Sequence, residues 1–262
     1  MELLSVIDTH AHLDDEQFDD IRDDVISRAK EAGLVRIVSV GTTAGSSQKT
    51  VQIARQFDII SAAVGIQPNY CAEAKASDWD LVRQLAGGPT VVALGETGLD
   101  RYWDHAPFEL QQEFFDRHLR LSQSSGLPFI VHMRDCSDDI LVMLREAHGR
   151  GPLKGVMHSF TGDSAMASEC LDLGMYISFA GMVTYKKSDD LRDVAASIPQ
   201  DRILIETDSP YLPPHPRRGV RPNEPGLVVH TLECLAECRG VSVSELGTTT
   251  TENARRLFDR LP

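Results

Sequence analysis

The sequence predicts an α/β fold, a closed (β/α)8 TIM barrel, from three observations. Eight short apolar or β-branched runs alternate with amphipathic helical stretches along 262 residues. Histidines and carboxylates stand at the ends of the first, fourth, fifth, sixth and eighth of these runs. A barrel gathers groups from many strand ends at one mouth, whereas an open doubly wound sheet gathers them at one switch point. Only closure brings these five ends together easily, and barrels of this length fold as one unit, so residues 1–262 are read as one domain.

The first run, Leu3, Leu4, Val6 and Ile7, ends in Asp8-Thr9-His10-Ala11-His12. Side chains alternate along a strand, so His10 and His12 are expected on one face, able to share a cation. Phe18, Ile21, Val25, Ala29 and Ala32 then step by three or four, and Gly33 marks the stop of a helix. The remaining strands are expected at Val35–Val40, Ile59–Val64, Val91–Leu94, Phe129–Val131, Gly155–Met157, Met175–Phe179 and Ile203–Ile205. Between the fourth and fifth, Pro107 opens a helix with Phe108, Phe115 and Leu119 at helical spacing, ending near Gly126.

Composition restricts the function classes. With 26 basic and 39 acidic residues the net charge is −13, which disfavours non-specific adhesion to nucleic acid or anionic membrane. An anionic substrate therefore has to be drawn by local charge or by bound cations. The five cysteines lack a Cys-x-x-Cys pair and read as reduced thiols. The start of the chain has no basic region before its short apolar run, and no stretch reaches the length of a membrane span. A cytoplasmic enzyme without an obligatory protein partner is the expectation.

The strand ends carry the chemistry. Val91-Val92-Ala93-Leu94-Gly95-Glu96 leads a buried strand into a carboxylate, whose two oxygens can each hold a cation of a two-metal site. The fifth and sixth runs end in His132 and His158, and the eighth ends in Glu206-Thr207-Asp208, whose carboxylates are expected on one face. Any one of these has an ordinary reading: a turn residue, a cap or a packed histidine. Together they form a constellation that a scaffold has little use for. His105, His118, His148, His215 and His230 lie away from strand ends and are assigned to surface or packing.

The segments Asp8-Thr9-His10-Ala11-His12, Leu94-Gly95-Glu96-Thr97-Gly98-Leu99-Asp100, Val131-His132-Met133-Arg134-Asp135, Met157-His158-Ser159-Phe160-Thr161-Gly162, Ile177-Ser178-Phe179-Ala180-Gly181 and Glu206-Thr207-Asp208-Ser209-Pro210-Tyr211-Leu212 resemble, in order and spacing, the TatD family of metal-dependent deoxyribonucleases within the amidohydrolase-like barrels. The likeness continues into Asn223-Glu224-Pro225 and Thr251-Glu252-Asn253-Ala254-Arg255-Arg256-Leu257-Phe258. Carried over by position, it implies metal ligands at His10, His12, Glu96, His132, His158 and Asp208, with Glu206 near the chemistry. It further implies exonuclease action on single-stranded DNA. Two departures stand out: Gln67 replaces a histidine usual in the family, and the loop Arg218–Asn223 is one residue longer. Glutamine can donate a hydrogen bond but cannot carry a proton or charge.

Imidazole and carboxylate suit Zn or Mn, while Mg prefers oxygen and water, although the resemblance implies that Mg can support activity. Two divalent ions sharing a hydroxide that attacks phosphorus, with Asp208 orienting or deprotonating it, is the expected mechanism, with Glu96 and Glu206 as further catalytic candidates. Arg134, Arg217, Arg218 and Arg221 are candidate phosphate contacts beside Gln67, and Tyr102, Trp103 and Tyr211 candidate base-stacking groups. The rival readings are an amide or lactone hydrolase, since the same barrel can attack carbonyl carbon, and a catalytically idle binding protein.

Overall fold

The computed structural model describes residues 5–262, so Leu3 and Leu4 lie outside the described residues. Eight parallel strands pair in sequence order: β1 (Val6–Ala11), β2 (Leu34–Val40), β3 (Ile60–Val64), β4 (Val91–Asp100), β5 (Phe129–Arg134), β6 (Gly155–Met157), β7 (Tyr176–Phe179) and β8 (Ile203–Ile205). The helices are α1 (Arg22–Glu31), α2 (Ala44–Gln56), α3 (Ala76–Ala86), α4 (Phe108–Ser125), α5 (Ser137–His148), α6 (Ser164–Asp172), α7 (Asp189–Ser197), α8 (Val228–Arg239) and α9 (Val243–Leu257). The architecture is a (β/α)8 TIM barrel. Closure between β8 and β1 runs through Thr9 Oγ1 donating to the Ile205 carbonyl at 2.9 Å, Asp208 N to the His10 carbonyl at 2.9 Å, and His12 N to the Ser209 carbonyl at 2.7 Å. The seam is therefore knitted by the segments that carry the candidate ligands.

The local reasons follow the sequence. Gly33 takes φ 94° after α1, a left-handed value that glycine adopts without cost, and ends the helix there. The expected first helix is nevertheless split: Glu16–Phe18 form a 3-10 turn and α1 begins at Arg22. α4 starts right after Pro107 and stops at Gly126 with φ 76°. The fourth strand is much longer than its apolar run, extending through Glu96 to Asp100, because the Gly95-Glu96-Thr97-Gly98 segment continues beside β5. Gly98 has no substitute here, since a Cβ would run into the carbonyl oxygen of His132.

One apolar residue or more from every strand forms a small inner core: Ile7, Val38, Val40, Ala63, Val92, Ala93, Ile130, Val156, Tyr176 and Leu204. Ala254, Leu257 and Phe258 join them, so the end of α9 plugs the floor of the barrel. The larger core lies between the strands and the surrounding helices. Burial pushes the thiols of Cys71, Cys136 and Cys170 up to about 12, and all five cysteines are unpaired. Among the described residues no helix is long and apolar enough to cross a membrane.

Candidate metal centre

Two residues above the inner apolar layer the barrel turns polar. In β5, Ile130 faces inward and His132 follows on the same face; Val156 and His158 repeat this spacing at β6. β1 departs from it. Thr9 reaches across the barrel to Ser178 Oγ at 3.3 Å, yet its neighbour His10 is also turned into the site. The register of β1 against β2 slips between Asp8 and Ala11, and that irregularity admits both. β4 does the same beside β5, slipping between Leu94 and Thr97 around Glu96. Two ligand positions therefore depend on breaks in strand alternation. Asp208 also departs from it, since β8 ends at Ile205 and Asp208 sits at φ 54° in the turn beyond.

The side chains converge. Glu96 Oε1 lies 2.7 Å from His132 Nδ1 and 3.2 Å from His158 Nε2, while its Oε2 lies 3.6 Å from His10 Nε2 and 3.5 Å from His12 Nε2. One carboxylate thus faces a different pair of imidazoles with each oxygen. Asp208 Oδ1 stands 3.4 Å from His12 Nε2 and 3.8 Å from His10 Nε2. Three overlapping groups have the donor convergence a metal needs: His10, His12 and Asp208; Glu96, His132 and His158; and His10, His158 and Glu206.

The hydrogen bonds behind the rings test whether cations fit. His12 Nδ1 donates to the Val40 carbonyl at 2.8 Å, which leaves the Nε2 lone pair of the neutral ring aimed at Asp208 and Glu96. His132 Nε2 donates to Asp100 Oδ2 at 2.9 Å and leaves its Nδ1 lone pair against Glu96. Lone pair facing carboxylate is repulsive unless a proton or a cation stands between, so the donor set fits divalent ions. In their absence protons take that place. Burial works against a charged His12, but Asp208 and Glu96 outweigh it and lift this imidazole to about 9. Burial likewise opposes charge on His158, and Glu96 with Glu206 drives it well above the usual histidine value. Glu96, buried yet ringed by His158, His10 and His132, is held well below the usual carboxylate range.

Glu206 belongs to one of the three groups and is also tied down by neighbouring donors. It accepts from Ser159 N at 2.6 Å and Ser178 Oγ at 2.6 Å, and faces His158 Nδ1 at 3.3 Å. It lies behind His158, while Asp208 stands on the His10–His12 side. Two further carboxylates were not singled out from sequence. Asp8 is buried and accepts from His10 N, Thr207 N and Thr207 Oγ1, tying β1 to the turn that carries Asp208. Burial outweighs those bonds and raises it to about 8. Asp100 accepts from His132 Nε2, from Asn69 Nδ2 at 3.0 Å, and from the backbone of Tyr102 and Trp103. Its spacing of two from Gly98 and four from Glu96 on one strand was the available signal.

The expected substrate contacts are dispersed. Gln67 is buried, and its Oε1 accepts from Asn69 N at 2.8 Å, capping a 3-10 turn after β3. It belongs to none of the metal-competent groups. Arg134 is exposed at the end of β5 with its guanidinium 3.7 Å above the Tyr102 ring. Arg217, Arg218 and Arg221 lie exposed on the loop after β8, and Arg218 stacks 3.7 Å over Tyr185. Tyr211 is half exposed, its ring 5.9 Å from that of His12 and its hydroxyl donating to Asp15 at 3.3 Å. Of the other histidines, His118 is buried between the Phe114 carbonyl and Ile66 N, with burial lowering it to about 4. His105 stacks on Trp103 at the rim.

The family model of TatD related DNase matches residues 7–259. The chain belongs to the TatD family. A metal-dependent hydrolase of Bacillus subtilis, YabD, is 40% identical over 253 residues, covering 97% of this chain and 98% of that protein. A Shigella flexneri protein named 3'-5' ssDNA/RNA exonuclease TatD is 33% identical, with 97% and 98% covered. The crystal structure of YJJV, a TatD homologue from Escherichia coli, superposes with a TM-score of 0.90 at 30% identity, covering 97% of this chain and 98% of that one. This TatD-family chain is thus related over its length to metal-dependent hydrolases, and its His, Asp and Glu groups could hold metal.

Proposed function

We propose that this TatD-family protein hydrolyses phosphodiester bonds of single-stranded nucleic acid from one strand end, as an exonuclease with two divalent cations held at the barrel mouth. The observation that carries the reading is the Glu96 carboxylate, each of whose oxygens faces its own pair of histidines. Such a carboxylate would hold one cation on each oxygen. When bound, such ions acidify water and offset charge on phosphate oxygens.

The protein's own residues do the rest. His10, His12 and Asp208 would hold one cation, and Glu96, His132 and His158 the other. Asp208, on the open side of His12, takes the proton of the attacking water or orients it. Glu206, occupied by Ser159, Ser178 and His158, acts chiefly by positioning His158. Arg134, packed on Tyr102, offers charge to a phosphate while Tyr102, Trp103 and Tyr211, all between 46% and 53% exposed, offer faces to unpaired bases. The relative named as an exonuclease on single-stranded DNA and RNA supports this choice of substrate.

The test is hydrolysis of an end-labelled single-stranded oligonucleotide by metal-stripped protein resupplied separately with Mg, Mn or Zn, beside Glu96→Ala. Stepwise shortening that needs metal and disappears in the variant is expected. Turnover of lactones or amides with no shortening under any ion would reject the nuclease reading.

A further inference from the structure

Away from the barrel mouth, a cleft of about 630 Å³ opens on the outer wall between α3, the second half of α4 and the turn after α5. The cleft is shallow and wide open to solvent. α4 runs back from the mouth toward the start of β5, so its second half faces away from the metal centre. Four arginines line the cleft, Arg83, Arg117, Arg120 and Arg150, together with the indole of Trp79. Counted with the three carboxylates that pair with them, Asp80, Glu113 and Asp116, the four arginines leave a local excess of one positive charge in a chain of net charge −13.

The guanidiniums are held from outside. Asp116 accepts from Arg120 Nε and Arg150 Nη2, both at 2.7 Å. Glu113 pairs with Arg117, which also lies 4.7 Å over the Phe114 ring, and Asp80 stands 3.6 Å from Arg83. None of these three carboxylates lines the cleft. Each guanidinium has five N–H donors, so donors remain for a ligand after those contacts. Gln123 Nε2 donates to the carbonyls of Ala147 and Gly151 and pins the turn that presents Arg150. Trp79 is braced edge-on by His118 at 4.8 Å between ring centres and by Phe114 at 6.4 Å.

We propose that this cleft is a second ligand site, separate from the metal centre, for a nucleoside monophosphate. Tetrahedral phosphate oxygens match the arginine forks, and the Trp79 indole matches a flat base. A bare anion would use the arginines but not the flat indole face that lines the cleft beside them. A long strand would need a continuous basic track, which four arginines in one pocket do not make.

The sequence has two tryptophans, Trp79 and Trp103, so Trp103→Phe leaves the cleft indole as the sole reporter. Its emission is titrated, in metal-loaded protein, with deoxyadenosine monophosphate, adenosine and inorganic phosphate. Saturable quenching by the nucleotide is expected, at least about tenfold tighter than by either half alone, and weakened at least about tenfold in Arg117→Gln/Arg150→Gln. Ser124→Glu, which adds a carboxylate at an exposed cleft position and leaves all four arginine pairs intact, should give the same loss with unchanged melting temperature, and decides the matter if the double variant does not fold. No saturable change, an equal response to phosphate alone, or nucleotide binding untouched by these substitutions would overturn the proposal. The readout does not depend on hydrolysis and stands apart from the exonuclease reading.

Discussion

The pit and the rim of this barrel are built to different standards. In the pit most ligand side chains are fixed from behind: His12 by the Val40 carbonyl, His132 by Asp100, His158 by Glu206, and the Asp208 turn by Asp8 through Thr207, while His10 Nδ1 is buried without a partner. On the rim Arg217, Arg218, Arg221 and Tyr211 stand exposed on one loop, tied down by Asn223 Nδ2 to the Thr207 carbonyl, by His215 N to Thr184 Oγ1 and by the Tyr185 hydroxyl to the Pro213 carbonyl. Rigid placement is what metal chemistry needs, because ligand geometry sets ion affinity; substrate loops tolerate and use mobility. The difference teaches that, on the proposed function, reaction type belongs to the strands and substrate choice to the loops.

The comparison is sharpened most by Glu96→Ala. Losing the bridge should empty the site of bound metal and lower hydrolysis by about a thousandfold or more, the several kcal/mol that metal positioning supplies. Metal content by atomic emission alongside the oligonucleotide assay measures both, and retained metal would break the bridging assignment. Asp100→Asn comes next. It keeps the shape but weakens acceptance from His132, so metal affinity should fall about 10- to 100-fold. Because the same carboxylate holds the backbone of Tyr102 and Trp103, KM should rise too, and a change in neither would remove Asp100 as a positioning residue.

Arg134→Ala should act on the rim alone. KM for single-stranded DNA is expected to rise about tenfold, within the 1–3 kcal/mol of a stacking or phosphate contact, with metal content and kcat nearly unchanged. A fall in metal content instead would erase the distinction between pit and rim. The smallest effect concerns pH. In metal-stripped protein His12 holds its proton up to about 9 rather than 6.5, so its ion pair stabilises the fold fully below pH 6.5 and is lost as pH rises through 9. The melting temperature of stripped protein should therefore drop by a few degrees from pH 6.5 to 9.5. Stabilisation by added metal should grow over the same window, as protons cease to compete for the ring. Parallel melting curves at matched ionic strength make the comparison.

Much of the architecture was legible because it rests on local pattern. The strands Gly155–Met157 and Ile203–Ile205 and the helix from Pro107 to Gly126 follow from apolar runs and their punctuation. His132 and His158 were legible by simple alternation, each two residues above an inward apolar side chain. Asp8 and Asp100 were passed over because a carboxylate in a strand reveals its acceptor role only when the donors, on Thr207 and His132, are brought beside it from nearly 200 and 32 residues away. The arginine cleft was equally hidden, since its members come from two helices, α3 and α4, and from the turn after α5.

By itself the sequence pointed to the barrel through strand-end chemistry, and to the family and most of the residues at its mouth through motifs that match in order and spacing. Tertiary structure alone decided how they meet. The slips in β1 and β4 that turn His10 and Glu96 inward, the left-handed turn at Asp208, and the division of labour between Glu96 and Glu206 arise from strand pairing and seam closure. Those are contacts between distant segments, and no local pattern encodes them.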